Sequence, residues 1–170
     1  MPWTGRTLRR TALTGVAGYG IYAAGVRSWK ARWNASEEDA ARSLPGDELV
    51  TAPAVVENRA VTISAPPSCV WAAVQEVIRA DPDRRVTSVE VEEGRALVLH
   101  RRGVSWAIIL QRLPGSRTRL LQRLRSARPL SPAARVGIFL AQRRQMREIE
   151  CRAELLHSVE ACEAVESHVA

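Results

Sequence analysis

The chain has 170 residues and a mass of 18.8 kDa, which gives room for one domain of ordinary size plus a short appendage and excludes a multidomain enzyme. Its 46% hydrophobic and 25% charged residues are typical of a globular protein and exclude both a wholly disordered chain and a polytopic membrane protein. A net charge of +7 favours contact with an anionic surface, whether nucleic acid, phospholipid or an acidic protein.

An uncharged segment, residues 11–26, follows a basic N-terminus. As a helix it would be about 24 Å long, which is short of the roughly 30 Å hydrocarbon thickness unless Arg27 and Trp29 extend it to the interface. Three interpretations stay open: a single membrane anchor, which we favour, a signal peptide with a weak cleavage site near Ala23, and an interfacial helix. The anchor predicts a membrane-associated protein. The dense basic and aromatic residues at 27–33 and the unpaired cysteines favour a cytoplasmic main domain.

The chain divides into four predicted parts. Residues 1–32 form the basic N-terminus and anchor. Residues 33–58 form a linker that docks on a neighbouring surface, with a short helix whose N-cap is Ser36 and whose first turn is acidic. The main domain and a C-terminal tail follow, over residues 59–157 and 158–170.

The main domain is predicted as a strand, a helix, an antiparallel meander and a long helix. Alternating Val61 and Ile63 predict the first strand, and apolar residues at three- and four-residue spacing predict a helix over 67–79. Short turn signals separate four further strands, which we place at residues 86–92, 95–101, 104–111 and 118–126. In the last of these strands, Leu120 and Leu124 face one way while arginines face the other.

A long helix is predicted to begin at Pro132, with Ser131 as its N-cap, and to run past Glu154. Its apolar residues recur as a single stripe that we expect to be buried, and the stripe consists of Phe139, Met146, Ile149, Ala153 and Leu156. The polar remainder of the helix surface is assigned to Gln142 and the neighbouring arginines 143, 144 and 147.

This order of elements and several short motifs resemble the bacterial START-like proteins of the SRPBCC superfamily. In chain order the motifs are LPGDELV (44–50), RAVTISAPPSCVW (59–71), Val-Gln (74–75), ALVL (96–99), SWAIIL (105–110), TRLLQRLR (118–125) and RRQMREIECRAE (143–154). The resemblance implies an α+β helix-grip fold, in which a curved antiparallel sheet of about five strands wraps a long C-terminal helix and encloses a hydrophobic cavity. An N-terminal membrane segment is also usual in that group.

The chain departs from that group between Gln75 and Val86, where the family has several tens more residues and this chain has ten. The shortened sheet leaves three outcomes open. The sheet can still enclose the implied cavity, it can expose a free edge, or it can pair with a second copy. The oligomeric state is not determined by the sequence.

The implied ligand pocket lies between the sheet and the C-terminal helix. Its predicted lining consists of Trp71, Trp106, Ile108, Leu120, Phe139 and Met146. The same residues would also suit an ordinary packed core, so the sequence alone does not separate the two roles.

No motif for catalysis, metal binding or cofactor binding is present in the sequence. No pair of cysteines has CxxC or metal-ligand spacing, and there is no GxGxxG or Walker A motif. We therefore predict no catalytic residue, no metal and no cofactor. Cys69 and Cys151 are assigned as small buried side chains, while Asp47 and Glu48 are expected at the surface.

An arginine-rich stretch over residues 101–152 holds 13 arginines against Glu148 and Glu150. It can be a solvated face or a surface held against anionic lipid. Nucleic acid is the less favoured partner, because the arginines lack interleaved exposed aromatic residues.

The favoured function is a membrane-tethered binding module for a lipid or other hydrophobic small molecule. One alternative is an enzyme similar to the polyketide cyclases and dehydrases of the superfamily, in which case a polar group should lie among the cavity-lining residues. The other alternative is a degenerate homologue that acts through its arginine-rich surface, in which case the core should be filled.

Overall fold

A computed structural model describes the backbone of residues 33–80 and 87–169 and the side chains of residues 33–80 and 92–160. These residues form three helices and five strands. In chain order the elements are α1 (Glu37–Ala41), β1 (Val55–Ile63), α2 (Pro67–Arg79), β2 (Thr87–Glu92), β3 (Ala96–Arg101), β4 (Val104–Leu113), β5 (Arg117–Ser126) and α3 (Pro132–Val169).

The strands form one antiparallel sheet in the order β1-β5-β4-β3-β2. Strands β2 to β5 follow one another as hairpins, and β1 joins the far edge of β5, where it pairs from Val55 opposite Ser126 to Ile63 opposite Thr118. The predicted α+β class, with an open antiparallel sheet and a long C-terminal helix, agrees with this architecture.

The two long helices cover one face of the sheet, which we call the inner face. Helix α2 runs antiparallel to α3. Cys69, near the start of α2, contacts Glu160 of α3, whereas Glu76, near the end of α2, pairs with the earlier α3 residue Arg152. The main hydrophobic core lies between these helices and the sheet. Its centre contains fully buried side chains such as Ile108, Leu120 and Ile149.

Within the N-terminal segment, residues 33–50, Trp33 packs against the main core, and residues 34–50 cover the opposite face of the sheet, which we call the outer face. Leu44 packs in a second apolar cluster with Val98, Ile109 and Leu121 of the sheet. Helix α1 begins as predicted, because the Ser36 side chain accepts a hydrogen bond from the Asp39 N–H in a capping box. The docking surface of this segment is therefore the sheet itself.

Arginine side chains of β5 hold that segment in place. Arg119 pairs with Asp39, while Arg123 and Arg125 both pair with Asp47. As predicted, these arginines and Leu120 lie on opposite sides of the strand. The expectation of a surface position for Asp47 was wrong, because it lies 14% exposed between two guanidinium groups.

Strand β1 begins at Val55 rather than at residue 59. Its first residues include Glu57 and Asn58, which are polar yet buried. They interrupt the alternation of apolar and polar residues by which a strand is recognised in a sequence, because each is buried against an arginine rather than against apolar side chains.

Helix α3 differs from the prediction in two respects. Gln142 is 4% exposed and takes a place in the buried stripe between Phe139 and Met146, whereas Leu156 is 37% exposed. The helix runs from Pro132 to Val169, close to the expected end near Val165, and this part of the chain contains no glycine or proline to stop it earlier.

The predicted membrane anchor at residues 11–26 lies outside the described residues. Among the helices that the structure does describe, none is both long enough and apolar enough to cross a membrane.

Candidate ligand-binding site

A group of polar side chains lies inside the apolar interface between the sheet and α3. Glu57 and Arg59 come from β1, Gln122 from β5 and Gln142 from α3, and their exposed fractions are 2%, 1%, 1% and 4%. We call these four residues the inner polar cluster. Charged and amide side chains are seldom buried to this extent unless they are paired, so their partners decide what the cluster can do.

The register of the sheet brings the cluster together. Arg59 lies directly opposite Gln122, and Gln122 lies opposite Ile108. Side chains of directly opposed residues in an antiparallel pair project from the same face. Trp106 lies two residues before Ile108 on β4 and therefore projects from that face beside the cluster.

Glu57 is the anionic member, and both of its carboxylate oxygens are engaged. Arg59 Nη2 donates to Oε2, and Arg135 Nε of α3 donates to Oε1 at 2.9 Å. Burial lowers the pKa of Arg59, and the neighbouring Glu57 carboxylate opposes that shift. The guanidinium carbon of Arg59 also lies 5.4 Å from the centre of the Phe139 ring, which is within the range of a cation–π interaction.

Among the residues that the structure describes, five side-chain polar atoms at this interface are buried without a hydrogen-bond partner. They are Nε and Nη1 of Arg59, Nε1 of Trp106, Oε1 of Gln122 and Oε1 of Gln142. The amide nitrogen of Gln122, by contrast, donates to Gln145 Oε1 at 3.3 Å. The interface therefore offers N–H donors from two side chains and amide acceptors from two others to any polar group that enters it.

The predicted pocket residues lie around this cluster. Trp71, Ile108, Leu120 and Met146 belong to the main core, and Trp106 is half-buried against it. Phe139 lies instead against Trp33, with ring centres 6.1 Å apart in a T-shaped contact, and next to Arg59. The predicted residues thus form the apolar surroundings of the cluster, while their role as walls of a ligand pocket stays a prediction.

The polar members of the site were not predicted, although the sequence contains a signal for each. Arg59 is in phase with Val61 and Ile63, and Gln122 lies between Leu120 and Leu124 on the face that those leucines define. Gln142 follows Phe139 by three residues and precedes Met146 by four, which is the spacing of one helix face. A polar residue that falls at the same repeat spacing as the apolar residues of a strand or helix face is expected to be buried with them.

Comparison with known proteins finds similarity only among solved structures. No protein-family model matches the chain, and no curated protein matches it. An AHSA1-like protein from Rhizobium etli is 16% identical, with a TM-score of 0.46 and coverage of 58% of this chain and 81% of that one. A protein from Chromobacterium violaceum is 13% identical, with a TM-score of 0.45 and coverage of 58% and 97%.

A polyketide cyclase-like protein from Corynebacterium glutamicum is also similar, at 16% identity, a TM-score of 0.33 and coverage of 63% of this chain and 83% of that one. With identities of 16% or less and TM-scores below 0.5, these likenesses assign neither a family nor a function to this chain.

Proposed function

We propose that this domain binds an amphiphilic small molecule at the inner polar cluster. The polar end of the ligand hydrogen-bonds to Arg59, Gln122 and Gln142, and its apolar body lies among the predicted pocket residues next to them, Trp106, Phe139 and Met146. A lipid or another hydrophobic molecule with oxygen-containing groups at one end has the required chemistry.

The observation that carries this proposal is the set of five unpartnered polar atoms. A buried donor or acceptor without a partner costs about 1–3 kcal/mol. A polar group that enters the interface and satisfies these atoms therefore gains more than it would elsewhere in the core.

Binding is a better account than catalysis for this cluster. General acid–base chemistry needs a carboxyl or imidazole group that is available to the substrate. Glu57 is the acidic member of the cluster, and each of its oxygens already accepts a hydrogen bond from a guanidinium group. The carboxylate is therefore placed to orient Arg59 and Arg135.

Native mass spectrometry of the full chain tests the proposal. Protein purified under mild conditions is compared with the same protein after extraction with organic solvent, and extracted protein is then offered a fatty acid or an aromatic polyketide. We expect a stoichiometric additional mass that extraction removes and that one class of offered compound restores. A bare protein mass in every sample would overturn the proposal, since water then satisfies the cluster.

Two variants and a control locate the ligand. Arg59→Met and Gln142→Met replace a polar group by an apolar one of similar length, and both should abolish uptake. Arg144→Met is the matched control, because Arg144 is exposed on the same helix. Gln142→Met should also leave the free energy of unfolding unchanged or raise it by about 1 kcal/mol, because it removes an unsatisfied acceptor. Equal uptake by all three variants would contradict the assigned site.

We also propose that the domain works at a membrane, tethered by residues 11–26, with exposed arginines in contact with anionic lipid. The support for this is the uncharged segment and the positive net charge. Five arginines form ion pairs within the domain, so the proposal concerns the other arginines of residues 101–152; the five are Arg119, Arg123, Arg125, Arg135 and Arg152. Sedimentation with vesicles of neutral or anionic lipid tests it. Equal, salt-independent binding to both would contradict the arginine contribution.

A further inference from the structure

The packing of α2 against α3 brings together three side chains that are far apart in the sequence. Cys69 lies in the first turn of α2, and His157 and Glu160 lie on α3. One ligand atom from each lies within 4.8 Å of the others. Cys69 is 2% exposed, His157 is half-buried and Glu160 is exposed, so the group reaches from the core to the surface.

The positions of the two α3 residues follow from helix geometry. His157 and Glu160 are three residues apart, which places them on one face of the helix. That face is turned toward α2, because the Cys69 thiol donates a hydrogen bond to Glu160 Oε2 at 3.2 Å. Both elements are continuous helices at this point, so the three side chains rest on rigid backbone.

The separations suit a small metal ion. Zinc binds cysteine sulfur at about 2.3 Å and histidine nitrogen or carboxylate oxygen at about 2.0–2.2 Å. In a tetrahedral site, donors at these bond lengths lie about 3.3–3.7 Å from one another. The sulfur and oxygen of the Cys69–Glu160 pair are already close to that separation, and a ring nitrogen of His157 lies within 4.8 Å of both.

We propose that Cys69, His157 and Glu160 bind a divalent transition metal of the zinc type. Thiolate, imidazole and carboxylate ligands together suit zinc and cobalt, whereas calcium and magnesium prefer oxygen ligands alone. Three protein ligands leave the fourth tetrahedral position to water or to an exogenous group, as in zinc sites that act on substrates.

The bound metal also has a structural consequence. It joins the N-terminal turn of α2 to the C-terminal half of α3. Cys69 and Glu160, which belong to these two segments, are 91 residues apart in the sequence. A ligand that binds the folded state but not the unfolded one stabilises the fold. Zinc should therefore raise the melting temperature of the protein, and a chelator should reverse the rise.

Titration of the metal-free full chain with Co(II) and with Zn(II) tests the proposal. We expect one Co(II) per chain, with the thiolate-to-cobalt charge-transfer band and the strong visible bands of tetrahedral cobalt, and displacement of Co(II) by Zn(II). Affinity should fall as the pH falls, because the thiol and the imidazole must lose their protons to bind. The rise in melting temperature with Zn(II) is the second readout.

Single substitutions of the ligands identify the site. Cys69→Ser, His157→Gln and Glu160→Gln should each weaken Co(II) binding by more than about 100-fold, because the loss of even an outer partner of a metal ligand costs 10–100-fold. Cys151→Ser is the matched control, since Cys151 is an exposed cysteine on the same helix, and it should bind Co(II) as the unmodified chain does.

Two results would overturn the proposal. The first is the absence of the thiolate-to-cobalt band in the unmodified chain, because the cluster is then an ordinary hydrogen-bonded group. The second is a band that persists in Cys69→Ser but is lost in Cys151→Ser or in Cys162→Ser, because another cysteine then binds the metal. Neither outcome depends on the small-molecule site proposed above.

Discussion

Replacement of Arg123 by methionine tests whether residues 33–50 are an integral part of the folded domain. Arg123 is 3% exposed, and all three of its guanidinium nitrogens donate hydrogen bonds. The acceptors are Asn58 Oδ1 at 2.7 Å, Asp47 Oδ2 at 2.7 Å and the carbonyl oxygens of Arg42, Asp39 and Ala40 at 2.8, 2.5 and 3.3 Å. Four of these five acceptors belong to the N-terminal segment.

The expected loss of stability follows from these contacts. Removing one partner of a buried ion pair costs about 3–5 kcal/mol, because the other partner and its hydrogen-bonding groups are left desolvated. Asp47 keeps a second partner, since Arg125 Nη1 lies 3.0 Å from its Oδ1, and this lessens the loss. We therefore expect Arg123→Met to lower the free energy of unfolding by about 3 kcal/mol and the melting temperature by about 6–12 °C.

Urea unfolding of the full chain, followed by circular dichroism, measures the effect. Arg117→Met is the matched control, because Arg117 lies on the same strand and face but is exposed and donates to the Pro114 carbonyl oxygen at 3.1 Å. Surface substitutions usually change the free energy of unfolding by about 0.5 kcal/mol or less, so the control should lose far less stability. Equal losses of about 1 kcal/mol in the two variants would show that the N-terminal segment is not held by Arg123 and would refute this reasoning.

Two further substitutions test contacts of the same segment. Burial alone would raise the pKa of Asp39, but hydrogen bonds from the Ser36 backbone and from Arg119 hold it below its ordinary value. A lowered pKa in the folded state stabilises the protein above the unfolded-state value of about 3.9, and this contribution is lost as the pH falls through the folded-state value. The free energy of unfolding should therefore fall less steeply below about pH 4 in Asp39→Asn, and identical pH profiles would contradict the assignment. Gly46 has a φ of +87°, and a Cβ there would lie 2.7 Å from Cγ1 of the buried Val98. Gly46→Ala should therefore lower the free energy of unfolding by about 1–3 kcal/mol in the same urea assay. An unchanged urea midpoint would show that this turn can move off the sheet.

The order of the elements could be predicted from the sequence because each of them carries a local signal. Alternating apolar residues mark the strands, glycines mark the hairpin turns, and prolines open both long helices. Positive φ angles at Gly94, Gly103 and Gly115 agree with the predicted turns. The start of β1 could not be found in this way, because Glu57 and Asn58 are buried by partners that lie 65 or more residues away in the sequence.

The two candidate sites could not be predicted for a related reason. The inner polar cluster depends on the register between β1 and β5, which sets Arg59 opposite Gln122, and no local pattern fixes that register. The Cys69, His157 and Glu160 group depends on how α2 is packed against α3. Metal motifs are recognised in sequences by short spacings, and a separation of 91 residues between Cys69 and Glu160 gives no such signal.

Each face of the sheet holds one almost fully buried arginine, and the hydrogen bonds of the two side chains can be compared. Arg123 on the outer face and Arg59 on the inner face are buried to nearly the same extent, at 3% and 1% exposed. Every guanidinium nitrogen of Arg123 has a protein acceptor, whereas Arg59 uses one nitrogen and leaves two without partners. The chain can therefore satisfy a buried guanidinium group fully where the surroundings are complete. An unpartnered donor is costly at this depth, and the described residues supply no acceptor for these two nitrogens of Arg59. Under the proposed function the ligand supplies it, so Arg59→Met should lose the ligand while the outer face stays intact.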